Sequence, residues 1–249
     1  MTGTTAPSSF AARFLRLSGD AGWRVALHVL PYALACGVIT EGTIQIRLAI
    51  LWKLPLVALA LASLYLAVLL GTHVSTLRLA GRTGRTLAPI RHLLAMSARI
   101  SAESALMALV GLLAVLALVG ALDIGVATVE PESGARWPAT LLRAIATLAG
   151  LTALVVMLVA ATALAASALG GAVGFAAAAG ELFRRSERTT AVICTAIFLG
   201  TAVAIGATRL FALAELGPPI IAAALAKAAG YLALTVPLSV GAALIAAEA

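Results

Sequence analysis

Charge is scarce in this chain. Asp, Glu, Lys and Arg together make up 11% of its 249 residues, against about a quarter in an ordinary soluble domain. Aromatic residues reach only 5%, and there are 2 cysteines, too few for a disulfide framework. Cys36 and Cys194 both fall within apolar runs, where a buried free thiol is the expected state. Lysine is nearly missing: Lys53 and Lys227 stand beside 15 arginines. With abundant Ala, Leu and Val, that preference matches the codon habits of a GC-rich bacterial genome. Catalytic signatures are missing too. The chain has no Gly-x-x-x-x-Gly-Lys-Ser/Thr loop to cradle phosphates, no His-Glu-x-x-His to hold zinc and no Gly-x-Ser-x-Gly nucleophile turn. We therefore expect no enzyme activity and no cofactor, and any ATP-driven step would need a separate ATPase.

Apolar residues fill the space instead. They make up 62% of the chain, and the mean hydropathy is +1.09. Leu54 to Ala80 carries no charge before Arg78. Apolar runs of about 18 residues or more cross roughly 30 Å of hydrocarbon as helices. The pattern predicts spans at 24–40, 54–77, 102–122, 139–168, 190–208 and 228–246. The expected fold is all-α, a polytopic membrane protein of about six transmembrane helices. Residues 1–23 form a cytoplasmic segment with an interfacial helix, and residues 24–249 form one transmembrane domain. The first apolar run follows Arg24 and lacks the layout of a cleaved signal, so it is expected to stay as an anchor.

The basic residues give the orientation. Arg13, Arg16, Arg24, Arg78, Arg82, Arg85, Arg91, Arg99, Arg184, Arg185 and Arg188 fall on one side of these spans. Arg47, Lys53, Arg136, Arg143, Arg209 and Lys227 fall on the other, among Glu41, Asp123, Glu130, Glu132 and Glu215. Cytoplasmic loops are enriched in Lys and Arg, so both termini are expected inside. The net charge of +7 then serves topology, and no nucleic-acid partner is expected. Trp23, Trp52 and Trp137 each stand at a predicted span end, where an indole ring favours the headgroup level.

Two stretches resist a simple span. Residues 139–186 would run about 70 Å as one helix. Such a segment either projects into the cytoplasm as a helix or breaks near Gly170, Gly171 and Gly174; the Gly170-to-Gly174 spacing instead suits close helix packing, which we expect over a hinge. Gly217-Pro218-Pro219 precedes seven apolar residues and Lys227. A lysine deep in a span is expensive, so we expect 218–227 to be a short re-entrant or interfacial piece, with Lys227 at the outer interface.

The cytoplasmic connections carry the candidate site. Thr86 is suited to cap a helix with Pro89 in its first turn. Leu87, Ile90 and Leu94 would share one face, and Arg85, His92 and Arg99 another. The expected product is an amphipathic helix over 86–94, either resting on the membrane surface or docking a soluble partner. A second basic cluster, Glu181-Leu182-Phe183-Arg184-Arg185-Ser186-Glu187-Arg188, suits a solvated helix end or a partner contact. Phe10, Phe14 and Leu17 form the apolar side of the interfacial helix. His28 and His73 lie near one membrane face, where a haem pair is conceivable, but hydrogen bonding at the interface is the stronger expectation.

Gly84-Arg85-Thr86-Leu87 through Leu93-Leu94-Ala95-Met96-Ser97-Ala98-Arg99 is similar to the Gly-Thr-Leu … Leu-Leu … Pro-Ser-Arg pattern of membrane subunits of type-2, export-type ABC transporters. Ala179-Gly180-Glu181-Leu182-Phe183-Arg184-Arg185-Ser186 resembles a Leu-Phe-Arg-Arg-Ser stretch between their fourth and fifth spans. Two departures stand out: Arg82 and Arg85 replace an acidic residue, and Ala95-Met96 stands where Pro is common. Small membrane proteins of unassigned function, and membrane domains joined to some glycerophosphodiester phosphodiesterases, share the same loop character. The resemblance implies a permease subunit in the bacterial inner membrane, pairing as a homo- or heterodimer with cytoplasmic ATPase subunits. Arg85, Thr86, Leu87, Ile90, Arg91, His92, Arg184, Arg185 and Arg188 would then dock the ATPase. The competing expectation is an accessory or structural membrane subunit of a larger complex.

Overall fold

The computed structural model describes residues 9–45, 50–84, 86–89, 91–92, 95–107, 110–111, 137–171, 173–213 and 218–248, with no strand among them. The helices are α1 (Phe10–Gln45), α2 (Ile50–Thr83), α3 (described over 95–107), α4 (Trp137–Ala168), α5 (Phe175–Arg184), α6 (Ser186–Leu213) and α7 (Pro219–Glu248). Five of them are long and apolar enough to cross a membrane: α1, α2, α4, α6 and α7. The expected third span, 102–122, lies outside the described residues except at 102–107 and 110–111.

α7 is the axle of the bundle and packs against α1, α2, α4 and α6. Its second half, Pro237 to Ala246, is buried throughout. Most of the residues there are small or β-branched, so neighbouring backbones come close. Polarity inside the bundle is handled locally. Buried Thr72, Ser75, Thr76, Ser104, Thr162 and Ser167 each donate to the carbonyl four residues earlier, so none of these six hydroxyls is left unpaired. The large apolar side chains Phe198, Val203, Ile205 and Leu210 of α6 point outward, where lipid would meet them.

Three segments depart from the sequence expectations. First, α1 starts at Phe10, with the Ser9 hydroxyl accepting from the Ala12 amide as an N-cap. It then runs unbroken for 36 residues, about 54 Å. Phe10 and Phe14 pack against the bundle core, so 10–17 is the opening of α1 and not a separate interfacial helix.

Second, the long apolar segment after 139 breaks. α4 ends at Ala168 and Gly170 takes φ +92°. The Gly171 amide donates to Ala166 O at 2.9 Å and the Gly170 amide to Ser167 O at 3.2 Å. That pair of bonds is a Schellman C-cap, which needs the left-handed residue that glycine supplies. A Cβ added at Gly170 would meet nothing within 4 Å, so the close-packing expectation is overturned.

Third, α7 is continuous from Pro219 to Glu248 and contains no re-entrant break over 218–227. Pro219 sits at the first helical position, where the missing N–H is no loss. Lys227 therefore lies inside a span helix, and its charge is met by Glu41.

Candidate functional site

Charges gather at two places. At one end of the bundle, Glu248 at the foot of α7 draws in arginines from two directions. Arg13 Nη2 of α1 lies 2.6 Å from Glu248 Oε1, Arg185 Nη1 lies 3.2 Å from Oε2, and Arg188 Nη1 donates to Oε2. Arg185 Nη2 also donates to the Glu248 carbonyl at 2.6 Å. Arg185 and Arg184 both pair with Glu181 of α5, and Arg82 of α2 pairs with Asp20 of α1. Arg188 further lies 5.4 Å from the Phe10 ring. A hollow of about 740 Å³ opens among Arg13, Arg184, Arg185, Glu187, Arg188 and Glu248.

The start of α1, the end of α2, the α5–α6 junction and the end of α7 thus share one end of the bundle. This is the arginine-rich face anticipated from the sequence. Having Phe10 and Glu248 together requires an even number of crossings between them. Trp23 is exposed near this end, with the Arg24 guanidinium 4.8 Å from its ring centroid, as at a headgroup boundary.

The expected docking residues divide. Arg85 and Ile90 lie outside the described residues. Residues 86–89 are not helical, which overturns an amphipathic helix beginning at Thr86. The Ala88 amide donates to the Ala168 carbonyl at 3.0 Å, so the connection is fastened to the last turn of α4. Tertiary pairing overrides the local capping preference here. Thr86 is exposed and Leu87 half-buried, while Arg91 and His92 are exposed in a helical turn.

The second cluster is built as the 10-residue helix α5. Ala178 and Leu182 are buried under it, and the Phe175 amide donates to Glu103 Oε2 of α3 at 3.3 Å, satisfying one free N–H of its first turn. Thr189 Oγ1 donates to Leu182 O at 2.9 Å and fixes the α5–α6 corner. Phe183 and the Arg184 side chain are left 84% and 76% exposed, with Arg184 also paired to Glu181 of its own helix. Arg185 and Arg188 face inward to Glu248. His28 Nδ1 lies 2.7 Å from the Arg24 carbonyl, a contact within one turn of its own helix.

The other charged place was not anticipated. Lys227 Nζ of α7 pairs with Glu41 Oε2 of α1, and Gln45 Nε2 donates to Glu41 Oε1 at 2.8 Å. The Glu41 side chain is 8% exposed. Burying single charges in a bilayer costs about 2.5–3.5 kcal/mol each at a helix centre, and a buried pair rarely beats an apolar replacement. Stability alone gives a weak reason for these two residues. The available signal was Lys227 inside an apolar run, a charge that had to find a partner.

Fold and charge placement define a multi-pass, all-helical membrane protein. Compared with known proteins, the chain matches no family model, no curated protein and no solved structure.

Proposed function

We propose that this chain is the membrane-spanning permease subunit of an ATP-driven exporter in the bacterial inner membrane, with a separate ATPase docking on the arginine end. The observation that carries this reading is α5. A short helix between the spans α4 and α6 presents Phe183 and Arg184 to the surroundings while its other face is anchored in the bundle. An apolar side chain beside an exposed guanidinium suits a protein groove with an acidic rim. Arg91 and His92 on the α2–α3 connection are exposed as well, and Ala88 fastens that connection to α4, just ahead of α5 in the chain. In this reading two copies pair, the ATPases close around ATP, and the push on α5 reaches the spans through α4 and α6.

A second reading, an accessory membrane subunit without transport, is favoured by two observations. Export-type permeases place a coupling helix after the second span and a re-entrant pair before the last. Here 86–89 is not helical and α7 is unbroken.

The test is affinity purification of the tagged chain from its host in mild detergent, beside a Phe183→Glu/Arg184→Glu variant. Stoichiometric recovery of a soluble protein with a Gly-x-x-x-x-Gly-Lys-Ser/Thr loop, lost in the variant, supports the permease. Recovery of other membrane subunits only, or of the chain alone, rejects it in favour of the accessory reading.

A further inference from the structure

We propose that Glu41 and Lys227 form the outer gate of a polar path entering between α1 and α7; as a gate for transport, the proposal rests on the permease reading. Lys227 lies about 30 Å along α7 from Glu248 at 1.5 Å per residue. The pair therefore closes the α1–α7 seam at the end opposite the arginines. The next turn inward from the pair carries polar groups too. Thr40 Oγ1 and Tyr231 OH are hydrogen-bonded at 3.2 Å, and Cys36 Sγ donates to Ala60 O of α2 at 3.4 Å. Cys36 and Thr40 share one face of α1 by their i, i+4 spacing and Glu41 lies on the adjoining flank, while Val38 of the same helix is exposed.

The ion pair is not needed to hold the two helices together. Beside it, Gly37 lets α1 touch the backbone of α7: a Cβ there would stand 2.5 Å from Ala224 O and 2.8 Å from Ala228 N. That contact supplies close van der Waals packing without charge. Two opposite charges that can part and take up water are suited to a joint that opens and shuts, whereas an apolar pair would stay shut. Gln45 is placed to hold Glu41 while Lys227 leaves.

Cys36 is 2% exposed and lies behind the gate. With Cys194→Ala it becomes the only thiol of the chain, and so a reporter of opening. A membrane-impermeant maleimide applied to sealed vesicles from the side opposite the arginines reads its reactivity. The parent is expected to label slowly. Glu41→Gln and Lys227→Met should each label at least tenfold faster, at a temperature where the purified variants remain folded. The exchanged pair, Glu41→Lys with Lys227→Glu, should return to the parental rate. Parental rates in both single variants overturn the gate, and so does fast labelling of the exchanged pair. Should the neutralised variants not insert, Glu41→Asp keeps the charge but shortens its reach, and the same tenfold criterion decides. The reading needs no ATPase. Fast labelling without a co-purifying ATPase rejects the ABC assignment and keeps the gate; an ATPase with slow labelling rejects the gate alone.

Discussion

The amide of Ala88 donates to the carbonyl of Ala168 across 3.0 Å, joining the connection after α2 to the last turn of α4. This one bond satisfies a carbonyl that the end of a helix would leave free, and it fixes where the chain passes before α3. Ala88→Pro deletes the donor. A net loss of about 1 kcal/mol is expected, which lowers the melting temperature of the detergent-solubilised protein by about 2–4 °C for a chain of this size. Ala88→Gly keeps the N–H and should melt closer to the parent.

Gly170 and Gly150 separate backbone strain from space. Neither has a neighbour within 4 Å of an added Cβ, but only Gly170 has positive φ, +92°. Gly170→Ala should therefore cost about 1–2 kcal/mol from strain alone. Gly150→Ala, within α4, should raise stability by up to about 1 kcal/mol through helix propensity. Thermal melts of the two variants in one detergent check the opposite signs.

Much of this architecture was legible in the sequence, because hydropathy and charge are local properties. The apolar runs marked α1, α2, α4, α6 and α7, and the arginines marked the end at which Arg13, Arg82, Arg185 and Arg188 meet their carboxylates. The break after Ala168 was marked by its glycines but assigned to packing, since spacing alone does not distinguish a Schellman cap from a small-residue seam. The Thr86 cap failed because Ala168, far along the chain, offered the connection a carbonyl. Glu41 and Lys227 stayed unpaired in the sequence reading because nothing in hydropathy says that α1 lies against α7. Continuity through Pro219 and Lys227 followed only once that neighbour was known.

Gly37 tests the seam itself. A Cβ there would clash with the carbonyl oxygen of Ala224 and the amide nitrogen of Ala228, backbone atoms that cannot rotate aside. Gly37→Ala should cost about 1–3 kcal/mol, as overpacking does in well-filled cores, and Gly37→Val more. Gly42→Ala is the control on the same helix, with nothing within 4 Å of its Cβ. It should melt at or above the parent temperature.

Glu248 is the hub of the arginine end. Its side chain is 14% exposed, and it is shared by Arg13, Arg185 and Arg188. Glu248→Gln removes the negative charge, but the backbone carbonyl that accepts from Arg185 is retained. Arg13 and Arg188 are partly solvated and will rehydrate, while Arg185 keeps Glu181. The loss should be about 1–2 kcal/mol, below the full value of several charged hydrogen bonds because water screens the outer partners. Arg188→Gln should lose less, since two cations still face the carboxylate. The double variant Glu248→Gln/Arg188→Gln should lose less than the sum of the two single losses, because both report on one contact. Ionic strength gives the independent check. Raising salt from 0.05 to 0.5 M shortens the screening length to a few Å. It should lower the melting temperature of the parent, with a smaller effect on Glu248→Gln. Equal salt sensitivity in both would mean that the cluster adds nothing to the hold of α1 and α6 on the foot of α7.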